Sequence, residues 1–156
     1  MFLTKPGRRT IARRLEGVRD VLGAALRADH ILVVEDWTAE AARNRVAEAL
    51  RSGPGFTAIV AAGDILAAGA IFAIQESGRS VPRAISVIGI DGLPQGEFTA
   101  PALTTIAIPM RRIGAEALAL VQENARNRQS DHPPVPRKVE LGCRLIERAS
   151  TAAPPL

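Results

Sequence analysis

Three apolar runs of this chain each end at a residue that could do chemistry: Asp36-Trp37 after residues 31–34, Gly63-Asp64 after 57–62, and Asp91-Gly92 after 85–90. A carboxylate accepts hydrogen bonds from hydroxyl groups, and a flat indole stacks on the apolar face of a sugar ring. If the three runs are strands of one parallel sheet, their carboxyl ends bring these groups to one edge, where ligands bind in such sheets. The set suits the binding of a polyhydroxylated ligand better than it suits catalysis. Each member also has a plainer use. Asp64 can cap the helix that follows, Asp91-Gly92 is a common turn, and Trp37 can serve in packing or at an interface.

The same inventory argues against an enzyme. The two histidines are His30, ahead of an apolar run, and His132, in a Pro-rich stretch, so neither is an obvious general base. Cys143 has no local partner and reads as a small core residue. No GxGxxG follows an apolar run and no GxxxxGK[ST] occurs, so no nucleotide cofactor is implied, and no His/Cys cluster offers a metal site.

The elements that must position these residues follow from periodicity. Ile11, Leu15, Val18, Leu22 and Leu26 recur at three- and four-residue steps and predict a helix over 10–27. Residues 31–34 predict a buried strand, Thr38 an N-cap, and 39–50 a helix that stops at Ser52-Gly53-Pro54-Gly55. A strand over 57–62, a helix over 65–76 capped by Asp64, a strand over 85–90 and a shorter one over 103–108 come next. A helix runs from 110 to about 125, the Pro-rich stretch 131–136 is extended or mobile, 138–145 supplies a late strand or hairpin, and 152–156 is frayed. Apolar strands alternating with helices need cover on both sides, so the expected fold class is α/β, a doubly wound parallel sheet with helices on both faces.

Bulk properties bound the rest. A length of 156 residues matches one ordinary domain, and 47% hydrophobic with 23% charged residues is globular composition. The net charge of +4 invites a nucleic-acid reading, but the arginines are scattered along the chain, with Arg8, Arg9, Arg13 and Arg14 in front, Arg111 and Arg112 late, and Arg126 to Lys138 in a tail. Without a basic helix placed for a groove, this chain is not expected to touch DNA itself. No apolar run reaches the roughly 18 residues of a membrane span, so no membrane partner is expected. A single cysteine fits a reducing compartment, and the cytoplasm is the expected location.

Five segments in order resemble the lactose-repressor-type (LacI/GalR) transcription regulators and their periplasmic sugar-binding relatives. Arg14-Leu-Glu-Gly-Val18 is similar to the family's R-x-x-G-F; Thr57-Ala-Ile-Val-Ala-Ala-Gly-Asp64 with Ala67 and Gly69 resembles T-A-I-x-x-x-N-D-x-x-A-x-G. Val81-Pro-Arg-Ala-Ile-Ser-Val-Ile-Gly-Ile-Asp91 resembles V-P-x-D-I-S-V-I-G-F-D, Pro101-Ala-Leu-Thr-Thr105 resembles P-P-L-T-T, and Arg148-Ala-Ser-Thr151 the terminal R-x-S-T. The resemblance implies that Arg14 contacts the ligand, that Asp91 reads its hydroxyls or ring nitrogens, and that Trp37 stacks on it. Asp64 stands beside them, Met110 falls near a second apolar contact, and Arg8 or Arg9 lies on a loop lining the cleft. Three positions depart from the pattern: Gly63 stands for an asparagine, Val18 for an aromatic, and Gly92 for a frequent second aspartate.

By the same resemblance, residues 1–156 form part of an effector-binding domain of the type I periplasmic-binding-protein-like kind, mainly its C-terminal subdomain, without the DNA-binding headpiece. The implied partners are a small-molecule effector, another copy of the chain, and operator DNA only through that headpiece. The helix over 110–126 would pack on an N-terminal subdomain; without one, its apolar stripe predicts self-association. The alternative function is a solute-binding protein of a sugar transport system.

Overall fold

The computed structural model of the chain describes residues 1–53, 55–127 and 137–153. The Pro-rich stretch 131–136, with His132, and the last three residues of the frayed tail lie outside them. The elements are β1 (Phe2–Thr4), α1 (Arg9–Leu22), β2 (Ile31–Val33), α2 (Ala39–Arg51), β3 (Ala58–Ala61), α3 (Asp64–Glu76), β4 (Ser86–Asp91), β5 (Thr104–Ala107), α4 (Met110–Asn127) and β6 (Arg144–Ile146). They form one six-stranded sheet in the order β2-β1-β3-β4-β5-β6. The pairs β1–β2, β1–β3, β3–β4 and β4–β5 are all parallel.

Helices cover both faces of this sheet. Leu3, Leu32, Ile59 and Val87 bury against Ala42, Val46 and Leu50 of α2 and Leu66, Ala70, Ile71 and Ile74 of α3. On the other face Phe2, Val60 and Ala62 meet Ile11, Leu15 and Val18 of α1. Alternation along β1 sends Phe2 and Leu3 to opposite faces, so this three-residue strand holds the two cores together. It is the one strand that periodicity missed, because three residues are too few to show a period. Its central place comes from pairing with β2 and β3.

The elements start and stop for local reasons. Thr38 caps α2 as expected, its hydroxyl oxygen accepting the Ala41 N–H at 3.1 Å. Helix α1 ends earlier than its apolar stripe suggests: Gly23, at φ +51°, donates its N–H to Arg19 O and turns the chain into a short 3-10 segment, Gly23–Ala25. Asp64 does not cap α3. The cap residue is Gly63, which makes no side-chain cap bond, and Asp64 is the first residue of the helix itself.

The Arg148-Ala-Ser-Thr151 ending is a clasp across two strands. Ser150 is fully buried; its hydroxyl donates to Val87 O at 2.6 Å and accepts from Thr104 N–H at 2.8 Å. Arg148 donates to Leu103 O at 2.8 Å and pairs with Glu97 at 2.9 Å.

Two compact units divide the chain, residues 1–107 with 145–156, and 108–144. In the second, α4 exposes Met110, Ile113, Leu118 and Val121. No helix among the described residues is long and apolar enough to cross a membrane.

Candidate functional site

In the order 2-1-3-4-5 the direction of winding reverses between β1 and β3, and the crevice outside the carboxyl ends of such strands is where ligands bind. A cleft of about 460 Å³ opens there, lined by Lys5 and Pro6 after β1, Arg8, Thr10, Ile11 and Arg14 at the start of α1, Asp36 and Trp37 after β2, and Asp91 at the end of β4. Of the residues singled out in the sequence, Arg8, Arg14, Trp37 and Asp91 therefore meet in one place. Lys5 and Pro6 follow β1, which is too short to show a period in the sequence, and Thr10 on the first turn of α1 carries no signal that marks it as a lining residue.

The guanidinium of Arg14 donates to the Ala62 carbonyl and to Asp91 Oδ1 at 3.3 Å. Both side chains of this pair are about four-fifths buried. Lys5 pairs with Asp36 at 3.0 Å on the opposite rim. The Arg8 side chain has no hydrogen-bond or ion-pair partner among the described residues, and the first turn of α1 carries no acidic side chain, so that end of the cleft is electropositive. Trp37 packs against both hydrophobic cores, at the sheet end where they meet.

Asp91 is held at φ +132°, a region that costs a non-glycine residue about 1–3 kcal/mol and that persists only where surrounding structure imposes it. Asp64 imposes it from behind. Its carboxylate, 3% exposed, accepts the Leu93 N–H on Oδ2 at 2.7 Å and the Thr105 hydroxyl on Oδ1 at 2.6 Å. Thr105 Oγ1 in turn accepts the Gly92 N–H at 3.3 Å. Gly92, at φ +76°, completes the turn, and a side chain there would collide with Ala107. Asp64 thus lies beneath the site rather than lining it. Met110 belongs to the second unit and is exposed at the start of α4.

Burial raises the Asp91 carboxyl above its ordinary 3.8; the Arg14 guanidinium opposes this, and the nearby Asp64 charge adds to it. A carboxyl raised on folding stabilises the native state below its unfolded pKa, and that contribution is lost as pH rises through the folded value. At neutral pH the ionised Asp91 therefore costs the unliganded fold free energy. Asp91→Asn is expected to raise the Tm near pH 7, with the difference from the wild type shrinking as pH falls below the folded pKa. Melting curves from pH 3 to 8 check this; a variant less stable than wild type at neutral pH would contradict it.

A family model described as a periplasmic binding protein-like domain matches residues 1–151. The HTH-type transcriptional repressor PurR of Yersinia enterocolitica is 40% identical over 99 residues, 64% of this chain and 28% of the repressor. Among solved structures, a LacI family transcriptional regulator from Arthrobacter sp. FB24 in complex with lactose is 34% identical with a TM-score of 0.78, covering 97% of this chain and 55% of that one. Another, from Enterococcus faecalis V583 with bound ribose, is 28% identical with a TM-score of 0.83, covering 99% and 54%. The match takes in less than a third of the repressor and little more than half of either structure.

Proposed function

This chain belongs to the periplasmic binding protein-like family, as the C-terminal effector-binding region of the LacI/GalR type, and from that premise we propose that its cleft binds a small polar effector, a sugar or related ring compound, which controls operator binding by a DNA-binding headpiece. The observation that carries this is the strained Asp91, locked beside Arg14 and Trp37 at the switch point of the sheet. Asp91 accepts from ligand hydroxyl or ring N–H groups, Arg14 and Arg8 donate to ligand oxygens, and the indole stacks on the ring. In the whole protein, binding favours one of two pre-existing arrangements and thereby changes operator affinity. The relatives are repressors and regulators, which favours this role over that of a transport protein's solute receptor.

The test is a thermal-shift screen of sugars, polyols, purines and sugar phosphates on the full-length protein. A ligand that binds only the native state raises the Tm. Because a hydrogen bond to a charged group is worth about 1.5–3 kcal/mol, Asp91→Asn is expected to weaken the hit by roughly 10- to 100-fold. A hit that the substitution leaves untouched would move the ligand out of this cleft.

Self-association is the second part of the proposal. The apolar side chains of α4, together with Ile65, Phe72 and Phe98 of the first unit, are left in solvent, with Phe98 85% exposed. Such surfaces mark interfaces. Light scattering over a concentration series is expected to show at least a dimer; a monomer throughout would exclude it.

A further inference from the structure

Gly63 sits at the turn from β3 into α3 with φ −165° and ψ 157°, extended backbone that any residue adopts. Nothing in its own conformation calls for glycine. What excludes a side chain is its surroundings: a Cβ at this position would lie 2.5 Å from Trp37 Cζ2, 3.3 Å from Trp37 Cε2 and 3.1 Å from Asp91 Oδ2. The first of these is a distance that real Cβ atoms do not show. The benzo ring of the indole fills the space that a residue-63 side chain would use, next to the Asp91 carboxylate.

We infer that Gly63 is a positioning residue for the effector site, a steric partner of Trp37 that seats the indole against Asp91 and so sets which rings the cleft accepts. The inference rests on the reading of the cleft given above and adds its determinant of shape. With the indole edge pressed to the backbone of residue 63 and the carboxylate at the same point, a ligand ring that stacks on the indole also brings its rim hydroxyl or N–H groups to Asp91. A side chain at 63, even a methyl, has to displace one of these two walls. Trp37 is the one that yields. It is only partly buried, whereas Asp91 is held by Arg14 and by its turn. Residues 37 and 63 therefore form one unit: the cleft can carry the large aromatic wall or a side chain at 63, and this chain carries the wall.

The chain contains one Trp and no Tyr, so its ultraviolet emission reports Trp37 alone. The experiment compares the wild-type chain, Gly63→Ala, Trp37→Ala and the double variant. For Gly63→Ala the expected results are retained helix content by circular dichroism, a red-shifted Trp emission and stronger quenching by acrylamide, as the indole moves toward solvent. Its Tm is expected to fall by roughly 2–6 °C, the effect of a crowded but partly open contact. In the Trp37→Ala background the same change at 63 should leave the Tm nearly unaltered, a coupling that a role for Gly63 unconnected to the indole would not produce. An unchanged emission and quenching in Gly63→Ala overturns the inference, and so does an equal loss of Tm in both backgrounds. None of these readouts needs an effector, so they stand or fall separately from the binding proposal.

Discussion

Asp64→Ala is expected to destabilise the fold by about 3–5 kcal/mol, lowering the Tm by roughly 10 °C in a chain of this size. The physical reason is that both carboxylate oxygens are in use, one by the Leu93 N–H and one by the Thr105 hydroxyl. Removing the carboxylate leaves two donors without their partner, the Thr105 hydroxyl fully buried and the Leu93 N–H partly so, and a buried donor without a partner costs about 1–3 kcal/mol. Were Asp64 only a helix cap, the loss would be near 1 kcal/mol. Asp64→Asn separates the two accounts further. Its amide keeps one acceptor and turns the other into a donor, which Thr105 can accommodate by turning its hydroxyl, so it should lose only about 1–2 kcal/mol. Urea unfolding of the three proteins decides: a loss below 1 kcal/mol for Asp64→Ala would contradict the role assigned here. Because the turn anchored by Asp64 carries Asp91, effector affinity should fall in the same order.

Gly69→Ala should be the other large loss, and its sign is the informative part. In an exposed helix, replacing glycine by alanine gains about 1 kcal/mol through lower backbone entropy in the unfolded chain. At Gly69 the new methyl would overlap the Ala39 carbonyl oxygen and lie 2.9 Å from both Ala39 C and Ala42 Cβ. Those are largely backbone atoms of α2, which cannot swing aside as a side chain can. The helix as a whole must move, in a core whose packing does not yield easily. Overpacking of this kind costs about 1–3 kcal/mol and more where the obstacle is rigid, so a net loss of about 2–3 kcal/mol and 5–10 °C is expected. Gly17, in α1, provides the opposite case. A methyl there meets nothing within 4 Å, so Gly17→Ala should raise the Tm by about 2–4 °C. Parallel melting curves check both signs, and stabilisation by Gly69→Ala would show that the two helices are further apart than they stand in this structure.

The two acidic residues divide the labour of the site in a way that residue type does not reveal. Asp64 and Asp91 each follow an apolar strand and each precede or join a turn. One is buried with two donors and holds the backbone; the other is half in the cleft, strained, and paired with Arg14. The first gives stability, and the second gives some of it up at neutral pH in return for a charged acceptor where a ligand can reach it. Asp91→Asn and Asp64→Ala should therefore move stability in opposite directions while both reduce effector binding.

The sequence by itself determined the alternation of strands and helices, the parallel doubly wound sheet and the group of residues at its edge. Runs such as 57–62 and 85–90 are long enough to show a buried strand, Thr38 is a good cap by its chemistry, and parallel strands place their carboxyl ends together whatever their order. Only the tertiary structure decided the rest. Phe2–Thr4 becomes a central strand through its pairing with β2 and β3, which no three-residue pattern can announce, and with it Lys5 enters the cleft. Asp64 points to Leu93 and Thr105, residues far along the chain, so its local aptitude for capping loses to two longer-range hydrogen bonds. Gly63 is in the sequence only a departure from the asparagine of the family pattern, and in the structure it leaves room for an indole. In each case the deciding partner is distant in the chain and near in space, and periodicity and local propensity carry no information about such pairs.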